Sequence, residues 1–408
     1  MLVPEHEGMN ASAIRPEQGA KGDESTATSG GRGATRPGRS NPLLTAAWIV
    51  LCGFLPLVSL YFALKPVAGT ARAVDFHFAY YPAAEAVLAG EDPYPIAGFV
   101  LRGEAEFVID YVYPPLIAIG TVPLTVVPVE IAEVVFQLGL VVAFVATLAL
   151  LGVRDWRCYG LAFLWPPVTD ALSTANVSIV IGLAAALAWR FRDRPLASGA
   201  SVGASVAVKL FLWPVTIWLA ASRRIAAAVW SVVIASVMLL GSWLAIGFAG
   251  LAEYPGLVGR LSDRMDERSY TAYALGVDLG LPHGVAKALW IALALGLLVA
   301  TVVLARRGDD RRSFVLALAA AIACSPIVWL HYFALLLVAV AVVQPRLAPI
   351  WFVGLPLQVV VTTGVYNGST FQTAAVLAAA ALTVALAMRQ PAPDARPVAV
   401  SSPAAARS

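Results

Sequence analysis

Residues 43–64 read LLTAAWIVLCGFLPLVSLYFAL, an uncharged and almost wholly apolar run. A membrane-spanning helix needs about 20 such residues, so this run is long enough to cross a bilayer. Further apolar runs recur as far as Met388, and 59% of the chain is hydrophobic while only 13% is charged. The composition therefore indicates an all-α polytopic membrane protein.

The first polar stretch after that run is residues 74–94, VDFHFAYYPAAEAVLAGEDPY. It places a carboxylate, Asp75, together with an imidazole and paired tyrosines where the chain leaves the membrane. Residues 80–89 are apolar at helical spacing and end at Gly90, which predicts a short interfacial helix. The apolar run that begins at Tyr113-Pro114-Pro115-Leu116 and ends at about Val127, before Pro128, is too short to span, so it predicts a re-entrant or interfacial helix on the outer side. We expect residues 65–113 to form a large first external loop that holds the reaction centre.

Basic residues fall in short clusters between the apolar runs, as they do in cytoplasmic loops. Counting crossings between these clusters predicts about 12 transmembrane helices with both termini cytoplasmic. Besides 43–64, the predicted crossings include 131–152, 158–172, 226–248, 285–305 and 371–388. Residues 42–388 would then form one domain in the plasma membrane, flanked by disordered tails at 1–41 and 389–408. Segment 196–208 is too short for a lipid-exposed span, and such segments are tolerated where they line a cavity.

Several other classes of protein lack support. The net charge of +3 is too small to indicate a nucleic-acid partner. The three cysteines are scattered, so a disulfide framework is not indicated. The chain has no Walker A loop, no paired histidines at metal spacing and no Gly-x-Ser-x-Gly elbow. The sequence therefore gives no support to nucleotide-driven transport, zinc hydrolysis or lipase chemistry.

Three ionisable residues could carry chemistry. Asp75 could be a base at the outer interface or a solvated loop carboxylate. Lys209 lies between two apolar segments, where an ammonium is costly unless it meets an anion or water; snorkelling is the alternative. His331 follows Pro326, which breaks the helix, and its imidazole could bond a phosphate oxygen, a sugar hydroxyl or a neighbouring helix.

Two other polar residues, Asp170 and Asn176, are expected near a cytoplasmic turn, away from these three. We interpret Asp170 as structural. The second predicted external loop, residues 249–284, carries enough charged and aromatic side chains to cap a cavity, Arg268 among them.

Four motifs occur in a fixed order along the chain. They are Asp75 at the start of the first loop, Tyr113-Pro114-Pro115-Leu116, Ala207-Val208-Lys209-Leu210 and Ser325-Pro326-x-x-Trp329-x-His331-Tyr332. This order resembles glycosyltransferase family 87, membrane enzymes of the GT-C class that use polyprenyl-phosphate sugars. The resemblance covers roughly residues 43–388.

The resemblance implies a GT-C-like bundle in which Asp75 is the catalytic base and Lys209 and His331 hold the donor phosphate. The candidate substrate-binding residues are Tyr80, Tyr113, Arg268 and Tyr332. The resemblance also implies a polyprenyl-phosphate donor of mannose or arabinofuranose, an extracytoplasmic glycolipid or glycan acceptor, and contact with membrane lipids. The chain departs from some relatives by lacking an Asp-Asp or Asp-x-Asp pair at Asp75, so we expect no metal and no other cofactor. A second departure is Ala175-Asn176, where relatives often have Gly-Gln-x-Asn.

Two alternatives stay open. A twelve-span secondary transporter predicts two similar halves and a site at the membrane midplane, and no half-to-half similarity is evident. A non-catalytic, lipid-binding membrane protein predicts that Asp75, Lys209 and His331 do not converge in space.

Overall fold

Five helices are long and apolar enough to cross a membrane. In this computed structural model, which describes residues 41–64, 73–94, 111–361 and 369–389, they are Pro42–Leu64, Val129–Leu150, Ile225–Ala245, His283–Arg306 and Thr370–Arg389. Each coincides within a few residues with a predicted span. All regular structure in the described ranges is helical, so the chain is a helical membrane protein. The two predicted tails, apart from residues 41 and 389, and parts of the first loop lie outside the described residues.

The other helices are shorter. They are Tyr81–Ala89, Pro115–Thr121, Trp156–Phe163, Pro166–Ser173, Ser178–Arg190, Pro195–Val208, Trp213–Ala221, Tyr254–Met265, Ala272–Asp278, Asp310–Ala323, Leu335–Val343 and Leu357–Val360. The predicted crossing at 158–172 is two helices rather than one, because Pro166 and Pro167 begin a new helix at positions where a missing N–H costs nothing. The count of about 12 crossings, and the side of the membrane on which each loop lies, stay predictions.

The predicted short helix after Asp75 is confirmed. A π-helical turn, Phe76–Tyr80, leads into Tyr81–Ala89. Gly90 ends that helix with φ 75°, a left-handed conformation that glycine adopts without steric cost. The second predicted short helix is also present as Pro115–Thr121, followed by a 3₁₀ turn that ends before Pro128.

The core is built around the short helices rather than the long ones. Every residue of Leu335–Val343 is buried. By contrast, the long helix Ile225–Ala245 exposes Val237, Leu240 and Leu244 by more than 60% each. Apolar side chains exposed on a spanning helix are those that lipid tails would cover. Helix Leu335–Val343 therefore lies in the core, whereas one face of the long helix Ile225–Ala245 is directed outward.

The short helix Pro195–Val208 packs very closely on Ile225–Ala245. A Cβ atom on Gly199 would lie 2.5 Å from the carbonyl oxygen of Ala227, and one on Gly203 would lie 2.6 Å from that of Ser231. Only glycine permits this backbone approach, which is the Gly-x-x-x-Gly pattern of membrane helix pairs. The contact fixes the position of the next residue after the short helix, Lys209.

Candidate active site

Asp75 lies on a backbone segment that is fastened to the end of helix Pro166–Ser173. The Ala73 N–H donates to the Ser173 carbonyl at 3.0 Å, and the Asp75 N–H donates to the Thr174 carbonyl at 3.0 Å. Because both bonds are made by main-chain groups, the position of Asp75 is set by the path of the two segments. Its carboxylate is directed at the residues that follow this helix.

The Asp75 carboxylate has a side-chain partner in Asn176. The Asn176 amide nitrogen Nδ2 donates to Asp75 Oδ2 at 2.5 Å and to the Tyr113 hydroxyl at 3.2 Å. Asn176 is 1% exposed. The prediction that Asn176 lies away from Asp75 is therefore wrong. The end of helix Pro166–Ser173 is hydrogen-bonded to the segment that carries Asp75, and the turn after Ser173 directs Asn176 towards the carboxylate.

Tyr113 is held by a group of tyrosines around its own turn. The Tyr94 hydroxyl donates to the Tyr113 carbonyl at 3.0 Å, and the Tyr254 hydroxyl donates to the Val112 carbonyl at 3.1 Å. The Tyr80 ring packs edge-on against the Tyr113 ring, with centroids 5.0 Å apart. The aromatic residues of the first loop thus form one wall of the site.

Lys209 extends from the end of helix Pro195–Val208 into this aromatic wall. Its Nζ atom lies 3.9 Å from the centre of the Tyr332 ring and 5.3 Å from that of Tyr113. These are cation–π distances. The Nζ atom is buried and has no hydrogen-bond partner in the described part of the chain. A buried ammonium with three unused donors is costly unless an anion or water meets it.

His331 lies in a 3₁₀ turn, Leu330–Ala334, after the break that Pro326 predicts. Its Nδ1 lies 3.1 Å from Asp170 Oδ2, and both side chains are buried. A carboxylate accepts hydrogen bonds, so Nδ1 carries the hydrogen and Nε2 is turned away from Asp170. Nε2 is buried without a partner among the described residues. The prediction that Asp170 lies far from His331 is therefore wrong, because helix Pro166–Ser173 packs on this turn.

Burial and charge act in opposite directions on the two groups nearest the centre. Burial raises the pKa of Asp75, while His331, the Asn176 hydrogen bond and Lys209 lower it and Asp170 raises it further. Burial lowers the pKa of Lys209 to about 7, and the Asp75 charge opposes that shift. A raised pKa makes the Asp75 carboxylate a stronger base, and the lowered pKa lets the Lys209 ammonium exchange protons near neutral pH. We name Asp75, Asn176, Lys209, His331 and Asp170 the central cluster.

Two residues of interest lie outside the central cluster. His77, two residues after Asp75, contacts the Glu133 carboxylate through its Nδ1 atom, and Glu133 lies on the spanning helix Val129–Leu150. Arg268 is exposed, and among the described residues no hydrogen bond or ion pair joins it to the cluster. The described residues also contain no group of three His, Cys, Asp or Glu side chains that could hold a metal ion.

Sequence reasoning missed the roles of Asn176 and Asp170 as partners of Asp75 and His331. Tyr332 was predicted to bind substrate, and the structure places its ring against the Lys209 ammonium. The sequence did contain a signal for Asn176. It is a polar residue just after a short helix that begins with two prolines, and the side chain of a residue beyond a helix end can be directed into the bundle. No pattern in the sequence indicated which end of the bundle it would reach.

The model of glycosyltransferase family 87 matches residues 111–332, more than half of the chain. The chain belongs to glycosyltransferase family 87. This membership makes the protein a membrane glycosyltransferase and confirms the resemblance drawn from the four motifs. The matched segment of this family 87 protein includes Tyr113, Lys209 and His331, whereas Asp75 precedes it.

One similar protein is the polyprenol-phosphate-mannose-dependent alpha-(1-2)-phosphatidylinositol pentamannoside mannosyltransferase of Mycolicibacterium smegmatis. It is 24% identical over 286 residues, which cover 65% of this chain and 68% of the relative. No solved structure matches the family 87 chain.

Proposed function

We propose that this protein transfers a sugar from a polyprenyl-phosphate donor to a hydroxyl group of an extracytoplasmic lipid or glycan. Asp75 is the general base, and Lys209 and His331 bind the donor phosphate. The acceptor oxygen forms a bond to the anomeric carbon as the bond from that carbon to the phosphate oxygen breaks, which inverts the configuration. The acceptor proton goes to Asp75, and the polyprenyl phosphate leaves with the electron pair.

The observation that carries this proposal is a pair of buried nitrogen atoms, Lys209 Nζ and His331 Nε2, for which the described residues supply no hydrogen-bond partner. Both belong to residues whose charge lowers the pKa of Asp75, so both lie within electrostatic reach of the carboxylate. A phosphate would supply the acceptor oxygens that these nitrogens lack. As the phosphate departs it gains negative charge, and donors already directed at that place stabilise the transition state.

The donor sugar is a finer proposal. The name of the mycobacterial relative specifies a mannose donor, so we place polyprenyl-phosphate mannose first and the arabinofuranose donor second. Tyr80, Tyr113 and Tyr332 offer ring faces and hydroxyls to the sugar. Arg268, which is exposed, would reach substrate only from outside the central cluster. The mechanism involves no metal, since phosphate is already a good leaving group and cationic side chains can neutralise its charge.

The test is transfer in membranes that contain the full-length protein. Membranes are incubated with radiolabelled polyprenyl-phosphate mannose and, separately, with the labelled arabinofuranose donor, and the label in extracted glycolipid and glycan is measured. Asp75→Asn keeps the shape and the Asn176 contact but cannot take a proton at neutral pH. We expect it to lose at least about 100-fold in rate, the usual contribution of a general base.

The matched control is His77→Asn. His77 lies two residues after Asp75, and its side chain contacts Glu133 rather than the central cluster. It should keep most of the transfer rate. Full activity of Asp75→Asn at wild-type protein levels would overturn the mechanism, and absence of transfer from both donors in the wild-type membranes would overturn the donor class.

A further inference from the structure

Asn176 uses its whole side-chain amide within the central cluster. Its Oδ1 accepts hydrogen bonds from the Ser178 N–H at 2.9 Å and from the Ser178 hydroxyl at 2.6 Å. Its Nδ2 donates to Asp75 Oδ2 and to the Tyr113 hydroxyl. If the amide were flipped, Nδ2 would face the Ser178 N–H and Oδ1 would face a carboxylate. Ser178 therefore fixes the orientation in which Asn176 donates to Asp75.

The backbone around this pair is fixed as well. Asn176 N–H donates to the Ala171 carbonyl at 2.9 Å, which closes the turn that ends helix Pro166–Ser173. Ala175 within this turn has φ 54°, and Ala73, which precedes Asp75, has φ 51°. Non-glycine residues rarely adopt this left-handed conformation, and they keep it where the surrounding structure leaves no alternative. Both strained residues flank the contact between Asp75 and Asn176.

The consequence for Asp75 is that its two oxygens differ. Oδ2 is occupied by Asn176, while Oδ1 has no hydrogen-bond partner in the described part of the chain. A carboxylate that is held at one oxygen presents the other in a defined direction. It also loses rotational freedom that would otherwise be lost at the transition state.

We propose that Asn176, oriented by Ser178, is the positioning residue of the base: it holds Oδ2 of Asp75 and leaves Oδ1 to take the acceptor proton. This role rests on the proposed function of Asp75. Asn176 donates a hydrogen bond to the ionised form of the carboxylate and so opposes the effect of burial on its pKa. Removing Asn176 takes this hydrogen bond away and therefore raises the pKa of Asp75. The charges of His331 and Lys209, which lower that pKa, and of Asp170, which raises it, are unchanged.

The experiment compares Asn176→Ala and Ser178→Ala with wild-type protein in membranes, using polyprenyl-phosphate mannose or, if that donor is not used, the arabinofuranose donor. For Asn176→Ala we expect kcat to fall about 100-fold, the size expected when a reacting group is misplaced by about 1 Å. The donor KM should stay near the wild-type value, because Lys209 and His331 are unchanged. The acidic limb of the kcat/KM profile should move to higher pH.

Ser178→Ala keeps the backbone N–H bond to Asn176 and loses only the hydroxyl. It should show the same changes with a smaller fall in kcat, about threefold to tenfold, as for the loss of one hydrogen bond. Because this change is small, it remains informative if Asn176→Ala fails to accumulate in the membrane. Ser198→Ala is the matched control: its hydroxyl is also buried and hydrogen-bonded, to the Ala188 carbonyl, at the far end of the helix that leads to Lys209.

Three outcomes separate the two proposals. A fall in kcat with a displaced acidic limb in the Asn176 and Ser178 variants, but not in Ser198→Ala, supports the positioning role. If Asp75→Asn is inactive while the acidic limb of Ser178→Ala and Asn176→Ala coincides with the wild type, the positioning role is overturned and the proposed function stands. If Asp75→Asn is fully active, the proposed function itself fails.

Discussion

The protein contains two groups of charges that differ in burial and in how their cations are paired. In the central cluster, Lys209 Nζ is buried with no hydrogen-bond partner among the described residues. In the second group, Arg224 bonds Asp310 with two nitrogens, at 2.9 and 2.6 Å, and Asp193 at 3.0 and 3.2 Å. We call Arg224, Asp193 and Asp310 the arginine network.

The difference indicates what each group does. In the arginine network every guanidinium nitrogen of Arg224 has a carboxylate partner, so the charge is already neutralised. The network joins the N-terminal ends of three helices, Pro195–Val208, Ile225–Ala245 and Asp310–Ala323. In the central cluster the cationic and imidazole nitrogens have unused donors or acceptors, which an incoming phosphate can satisfy. Buried polar groups left without partners are costly, and they persist where function requires them.

Within this comparison, the largest expected effect comes from removing the Lys209 ammonium. Lys209→Met keeps the length and apolar stem of the side chain but loses the ammonium. We expect kcat/KM for the donor to fall about 100-fold, mainly through KM, because a hydrogen bond to a charged group contributes about 1.5–3 kcal/mol. Initial rates of label transfer over a range of donor concentrations measure this. An unchanged donor KM would contradict a role of Lys209 at the phosphate.

The same residue gives the pH dependence a definite sign. Lys209 binds an anion only when it is protonated, and burial lowers its pKa to about 7 while Asp75 opposes this shift. Donor kcat/KM should therefore fall as pH rises above about 7. Lys209→Arg, whose side chain stays charged at all accessible pH values, should remove that fall even if its rate is lower throughout. An alkaline limb that is identical in wild type and Lys209→Arg would show that another group titrates there.

A smaller effect is expected from the carboxylate that orients His331. Asp170→Asn can still accept the Nδ1–H hydrogen bond, but it carries no charge. We expect kcat/KM to fall about tenfold, the difference between a charge-assisted and a neutral hydrogen bond. For Asp170→Ala, which also loses the hydrogen-bond acceptor, kcat/KM should fall further, since the imidazole of His331 is then free to rotate. If both variants retained wild-type kcat/KM, Asp170 would have only a structural contact with His331.

The smallest effect on catalysis is expected in the arginine network. Arg224→Met should lower the free energy of unfolding by about 1–2 kcal/mol, between the values for exposed and buried ion pairs, because Asp310 loses its bidentate partner. The transfer rate per folded molecule should stay near the wild-type rate. Thermal denaturation in detergent, paired with transfer assays normalised to folded protein, measures the two quantities separately. A large loss of rate without a loss of stability would mean that the network is coupled to the site.

Much of the architecture could be predicted from residue patterns alone. The five long helices were predicted because a run of about 20 apolar residues has few stable alternatives in a membrane. The short helix that ends at Gly90 and the break at Pro326 were predicted from the backbone preferences of single residues. These features depend on local sequence, so local sequence was sufficient.

The candidate site was predicted only in part. Asp75, Lys209 and His331 could be predicted as candidates because a charge or imidazole beside apolar segments costs free energy to bury, which makes such a residue a functional candidate. Asn176 and Asp170 were placed wrongly, because their positions depend on a short helix that begins at Pro166 and on a left-handed turn at Ala175 that sends the chain back towards Asp75. Neither the length of that helix nor the direction of its end follows from hydropathy.

The sequence by itself therefore determined that this chain is a helical membrane protein, which family it resembles, and which ionisable side chains are expensive to bury. The tertiary structure alone decided how those side chains are paired: Asp75 with Asn176, His331 with Asp170, and the Lys209 ammonium with the rings of Tyr332 and Tyr113. The physical reason is that the cost of burying a charge is a property of one residue, whereas its compensation depends on what distant segments place within about 3 Å of it.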